Sequence, residues 1–376
     1  MFYLVSFEYS PNTAPCNRVM AYVKALSELG VKTKVVFFIP DKTFSRFDGE
    51  LENIEFEYLW DKYYINIPRL KKLSLRLYIR QFIKRLRFDD KVYVYGFPEL
   101  TVALSKQKRG VQTYQERTEH PDASFVTRLN SVNKINYLEA CRQLSGNIVI
   151  SQPLKQYFVE KGCQPDRVHV VNMIVDSSRF YGLSKQDTEP YIAYCGTASN
   201  NKDGVDELIK AFALVLTKHP EYKLYIIGPT PSKKQRFENL ELVKKLCIDR
   251  NVVFYGKVLR EDMPQLLKNA QVLVLDRPDN LQAKYGFPTK LGEYLLTGNP
   301  VVVTKVGDIP LFLKDGESAL IAEPQKPQDF ADKICWAIEN PNEAQMIGEK
   351  GKLVAEKHFN YIIETQKLIN IIHLES

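Results

Sequence analysis

The stretch Tyr191-Ile192-Ala193-Tyr194-Cys195-Gly196-Thr197-Ala198-Ser199-Asn200-Asn201-Lys202-Asp203 decides the fold. Its β-branched and aromatic opening predicts a strand over Tyr191–Tyr194, Gly196 stops it, and a helical pattern starts near Asp203. A strand that stops at glycine and runs into a helix is the repeating unit of a parallel sheet with crossover helices. Glycine at a strand end lets backbone N–H groups approach an anion, and the helix N-terminus adds the positive end of its dipole. Lys202 stands where a point charge would meet such an anion. The same residues also suit an ordinary βα turn with a solvated lysine, and alone they do not choose.

Outward from this unit the pattern repeats. Lys223–Ile227, Val252–Tyr255, Val272–Leu275 and Val301–Thr304 predict further strands of the second half. Tyr3–Phe7, Thr33–Ile39, Val92–Tyr95, Val111–Tyr114, Asn147–Ile150 and Val168–Val171 predict those of the first. A first helix is predicted from Asn17 or Arg18 to Leu29, with Gly30 as its stop. The turn-rich stretch Asp176–Pro190 reads as a linker, and the segment from Pro341 onward as helical. The fold class is therefore α/β, with two Rossmann-like doubly wound domains. The expected divisions are 1–180, 181–355 and a C-terminal helix, 356–376, packing back on the first domain. Ligands of such sheets bind at the carboxyl ends of the strands, so a cleft between facing halves is the expected site.

Three further features point to that site. Gly228 and Gly256, followed by Val258, close successive strands and leave the sheet top open to a flat ligand, though each also suits a plain turn. In Tyr285-Gly286-Phe287-Pro288-Thr289-Lys290-Leu291-Gly292-Glu293, Pro288 suits the first position of a helix running through Leu296, with Gly298 beyond it. Its N-terminus would face a phosphate, and Glu293, too deep in the helix to gain from the dipole, needs a specific partner such as a ribose diol.

The chain resembles the retaining glycosyltransferases of family four, which have the GT-B fold. The resemblance runs through Val170–Phe180, the crossing segment; Ile150-Ser151 with Leu154, Lys155 and Gly162; Gly196-Thr197 with Lys202; Phe254–Val258; Gly286–Glu293; and Arg18 with Ala21–Leu29. The wording of Gly286–Gly298 is similar to a branch acting on bacterial envelope polysaccharides and lipopolysaccharide. The chain departs from the family at Tyr285, where the first of its paired glutamates would stand, and at Thr197, where an arginine is usual. Arg277 and Gln282 are the first candidates for replacement contacts.

What the resemblance implies is transfer of a sugar from a nucleotide-diphosphate donor to a glycan or lipid-linked hydroxyl, with retention and without metal or other cofactor. Catalytic roles then fall to His120, Lys202 and Glu293. Donor contacts fall to Gly196, Thr197, Gly228, Gly256, Val258, Arg277, Gln282, Gly286, Phe287, Pro288, Thr289 and Lys290. Asn12, in a loop Ser10–Pro15 closing over the reactants, Arg18 and Glu119 are the acceptor-side expectations; Gln115–Pro121 is read as a loop at the rim. A non-catalytic carbohydrate- or partner-binding protein of the same fold is the alternative, its support being the missing first glutamate.

Bulk properties narrow the field. With 44% hydrophobic and 26% charged residues the composition is that of a globular protein. Six scattered cysteines and five histidines suggest neither a disulfide framework nor a metal site, and fit a cytoplasmic protein. The basic segment Arg69–Arg87 draws as a helix with Leu75, Tyr78, Ile79, Phe82 and Leu86 on one side and Lys72, Arg76, Arg80 and Arg87 broadly opposite. It reads as a surface helix, or as one lying on an anionic membrane at the inner face of the cell membrane. Its leucines and isoleucines in place of stacking platforms argue against nucleic acid.

Overall fold

The computed structural model describes residues 1–11, 13–63, 68–107, 109–125 and 132–374, the side chains of 62–63 and 68–71 excepted. Asn12 lies outside the described residues. The chain divides into two compact units, Met1–Ile174 with Tyr361–Ser376, and Val175–Asn360.

The strands in chain order are β1 Phe2–Tyr9, β2 Thr33–Pro40, β3 Ile54–Tyr58, β4 Lys91–Tyr95, β5 Gln112–Arg117, β6 Gly146–Val149 and β7 Val168–Val170 in the first unit. The second unit holds β8 Tyr191–Cys195, β9 Lys223–Ile227, β10 Val252–Gly256, β11 Val272–Leu275, β12 Val301–Thr304 and β13 Leu320–Ala322. Their orders are β3-β2-β1-β4-β5-β6-β7 and β10-β9-β8-β11-β12-β13, and the pairings between neighbours are parallel. Each order reverses once, between β1 and β4 and between β8 and β11. Both sheets are thus doubly wound, and each reversal opens a crevice at the strands' carboxyl ends.

Continuous apolar runs are what a sheet covered on both faces requires. In the first unit Leu4, Val35 and Phe37 pack under the helix Ala14–Glu28, where they join Leu368 and Ile372 of the helix Tyr361–Ile372. Val5, Val36 and Val94 face the opposite layer, formed by the helix Pro68–Arg85. The helical pattern expected from Pro341 onward is broken into Pro341–His358 and Tyr361–Ile372. The latter is fixed to the first unit: Tyr361 Oη lies 2.9 and 3.0 Å from the Glu28 carboxylate oxygens, and the wholly buried Glu364 accepts the Asn172 N–H at 2.9 Å.

Four elements differ from the sequence reading. The edge strands β3 and β13 were not anticipated; β13 is only three residues long. The helix Ala14–Glu28 begins inside the loop expected over Ser10–Pro15, because Thr13 caps it by accepting the Cys16 N–H at 3.4 Å. Most consequential, β5 continues through Gln115, Glu116 and Arg117, which were read as part of a rim loop but are buried. A strand end this polar is stable because Arg18 meets Glu116 inside the unit. Among the described residues no helix is long and apolar enough to cross a membrane.

Candidate functional site

The reversal point of the second sheet carries a buried cluster of charged groups. Gly196 ends β8 at φ +145°, its N–H donating to Ile227 O at 2.8 Å. A Cβ at this position would overlap Lys290 Nζ. Glycine is therefore what allows that ammonium to rest on the strand end. Lys290 projects from the first turn of the helix Thr289–Leu296, which follows Pro288.

The Lys290 ammonium donates to Asp203 Oδ2 at 2.5 Å and to Tyr194 Oη at 3.0 Å, and sits 4.6 Å from the Tyr194 ring centroid. Asp203, 1% exposed, also accepts from Tyr194 Oη at 2.7 Å, and the buried Arg277 brings Nε to 3.8 Å from its other oxygen. One carboxylate thus holds two cations delivered by separate elements. Burial alone would raise the Asp203 pKa, yet Lys290 and Arg277 hold it below the usual carboxylate range. Burial also lowers the Lys290 pKa, with Asp203 opposing the shift. Below this cluster Tyr294 fixes the end of β8: its Oη accepts the Cys195 N–H at 2.5 Å and donates to Cys195 O at 3.2 Å.

Asp203 is brought into place by Gly204 at φ +61°, where a Cβ would overlap Asp276 O. That contact seats the helix Val205–Leu216 against the end of β11. Asp276 is 3% exposed, and burial, then the carboxylates of Glu207 and Asp206, push its pKa up to about 7.

The other expected positions surround this core. Gly228 N–H donates to Gly256 O at 2.8 Å, so Gly196, Gly228 and Gly256 close three adjacent strands. Val258 is half-buried just beyond β10, and Thr197 and Lys202 are exposed, Lys202 in the short helix Asn200–Asp203. Gln282 is half-buried in the helix Leu281–Tyr285, whose cap Asn280 donates to Asn201 O at 2.6 Å. Gly286, Phe287 and Pro288 are buried and Thr289 half-buried; Phe287 packs on Phe312 and Phe359 with ring centroids 5.6 and 5.3 Å away. Glu293 has its partner in Arg179, which also donates to Arg260 O at 2.6 Å.

In the first unit, His120 is 4% exposed beyond β5. Its Nδ1 accepts the Asp122 N–H at 3.1 Å, its ring lies 4.2 Å from Tyr157, and burial lowers its pKa. An Nδ1 that accepts favours the neutral ring carrying its proton on Nε2, the direction in which burial also acts. Glu119 is half-buried, its backbone oxygen accepting from Arg117 Nε at 2.9 Å. Arg18 is 3% exposed and fully engaged: Nε donates to Glu116 at 2.6 Å, Nη1 to Asn172 O at 2.8 Å, and Nη2 to Tyr22 Oη at 2.9 Å. Tyr93 Oη donates to the second Glu116 oxygen at 2.5 Å.

Sequence reading did not single out Asp203, Tyr194, Tyr294, Asp276 or Arg179 as site residues. Asp203 and Arg179 stood inside quoted motifs, but their pairing with residues far along the chain has no local signal.

Comparison with known proteins follows the same division. The family model for glycosyl transferases group 1 matches residues 179–354. The chain is 25% identical over 187 residues to N-acetyl-alpha-D-glucosaminyl L-malate synthase of Bacillus anthracis, covering 50% of this chain and 45% of that protein. It is 22% identical over 278 residues to mannosylfructose-phosphate synthase of Agrobacterium fabrum, covering 69% and 60%. The chain thus spans about half the length of these relatives. Anabaena Alr3699/HepE, solved in complex with UDP, superposes with a TM-score of 0.74 at 16% identity, covering 99% of both chains. That likeness establishes the GT-B fold.

Proposed function

From the match of residues 179–354 to the family model for glycosyl transferases group 1, we propose that the chain transfers a sugar, with retention, from a nucleoside-diphosphate sugar to a hydroxyl of a glycan or lipid-linked acceptor. The carrying observation is the Lys290 ammonium, held on Gly196 by Asp203 and Tyr194 beside the buried Arg277. Cations fixed at the carboxyl end of β8, at the reversal of a doubly wound sheet, suit a diphosphate. The protein named above that was solved with UDP has the same fold, which supports a nucleoside-diphosphate donor.

In the reaction the bond between the anomeric carbon and the diphosphate oxygen breaks, its electron pair leaving with the phosphate. The acceptor oxygen bonds to that carbon on the same face, and its proton passes to the departing phosphate oxygen. Negative charge grows on the leaving group, so positive groups already in place there lower the barrier. Lys290 and Arg277 are those groups, and Lys202, exposed one residue before Asp203, is the third. Asp203 is a positioning residue for the first two. Glu293 is assigned to the donor ribose, with Arg179 orienting its carboxylate. His120 and Glu119 are assigned to the acceptor side.

Thermal melts with UDP, GDP, ADP and CMP, and with their sugars, test the reading on the full chain and on Lys290→Met and Lys202→Ala. A ligand at 100 times its Kd stabilises by about 2.7 kcal/mol. One nucleotide should raise the midpoint, and Lys290→Met should abolish the rise while leaving the unliganded melt cooperative. No response to any nucleotide would refute donor binding and favour the non-catalytic protein of the same fold.

A further inference from the structure

The apolar side of the helix Pro68–Arg85 is consumed by the fold: Leu75, Tyr78, Ile79 and Phe82, with Leu86 just beyond, lie in the core of the first unit, each 7% exposed or less. Its opposite side should then be uniformly polar. It is not. Leu73 and Leu77, one turn apart, are 50% and 46% exposed, and Phe88 past the helix end is 76% exposed. Beside the two leucines run Lys72, Arg76, Arg80 and Lys84, all exposed and each four residues from the next, so they form one row along the helix. No Asp or Glu occurs from Arg69 to Arg87.

We propose that this face docks on a lipid bilayer bearing anionic headgroups, with Leu73, Leu77 and Phe88 entering the boundary between headgroups and acyl chains and the basic row lying on the phosphates. Charge complementarity selects this occupant. A second copy would set one basic row against another, and the helix itself carries no acid to relieve the repulsion. A helix lying flat in an interface needs apolar side chains with cations beside them, and such helices bind through both terms together. The inference is independent of the donor site, because none of these residues takes part in it.

The test is co-sedimentation of the full chain with phosphatidylcholine vesicles, with and without phosphatidylglycerol, at low and high salt. The chain should pellet only with vesicles containing phosphatidylglycerol, and high salt should release it. Arg76→Gln with Arg80→Gln, and separately Leu73→Ser with Leu77→Ser, should each weaken partitioning by about tenfold or more. These positions are exposed, so both variants should keep the wild-type melt. Three results would overturn the proposal: no pelleting with either vesicle, equal pelleting with both, or variants that pellet like wild type. A dimer in sedimentation equilibrium that both variants dissociate, without vesicle binding, would also overturn it and make the face an interface between copies.

Discussion

Asp276 offers a quantitative probe of the second unit. Its carboxyl is buried at the end of β11, near Glu207 and Asp206, and its pKa in the folded chain rises to about 7 from an ordinary 3.8. Below the ordinary value both folded and unfolded chains hold the proton, and the group costs nothing. As pH rises the unfolded chain ionises first, so the folded state binds more protons and stability falls. The loss is about 1.4 kcal/mol per pH unit and accumulates to about 4 kcal/mol by pH 7, above which it is constant. Asp276→Asn cannot ionise and escapes this loss. Its stability relative to the parent should therefore improve by about 4 kcal/mol between roughly pH 4 and pH 8. The chain has two tryptophans, Trp60 in the first unit and Trp336 in the second. In a Trp60→Phe background, Trp336 fluorescence during urea unfolding reports the second unit alone. A difference between variant and parent that stays flat with pH, or moves against the variant as pH rises, would refute the burial argument.

Two further outcomes follow from the geometry. Gly196→Ala should displace Lys290 and weaken nucleotide binding at least about tenfold, and its cost in stability should shrink when Lys290 is also Ala, because the overlap is with that side chain; additive melting shifts across the cycle would contradict this. Glu116→Gln leaves Arg18 buried without its counter-charge and should destabilise the first unit by about 3–5 kcal/mol, with Arg18→Met added to it recovering part of the loss, both read by urea unfolding through Trp60.

Much of the fold was legible because its strands are covered on both faces and so read as apolar runs. Lys223–Ile227, Val272–Leu275 and Val301–Thr304 have the bounds their composition predicts. Legibility fails where a buried element is polar. The end of β5 reads as a loop because Gln115-Glu116-Arg117 has no apolar side, and the residue that neutralises Glu116 lies 98 positions away. The surface helix was half legible: its core stripe follows from periodicity, whereas Leu73 and Leu77 become informative only once the stripe is known to be occupied. In the site, glycines and the helix start at Lys290 carry local signals, while Asp203 gains its meaning from a partner 87 residues on.

The distribution of charge around Gly196 explains why the strand end tolerates Thr197. A cation next to that glycine is supplied from a later element, the helix Thr289–Leu296, and arrives over the glycine's open face. Being desolvated, Lys290 interacts with an anion through a lower effective dielectric than the exposed Lys202 does, so it contributes more per charge. Burial lowers the pKa of such a lysine, and Asp203 opposes that shift. Yet Asp203 faces two cations, Lys290 and Arg277, so the cluster keeps one net positive charge for a ligand. A single carboxylate thereby anchors the ammonium while leaving the cluster a positive field, the one that the proposed reaction would turn on a departing diphosphate.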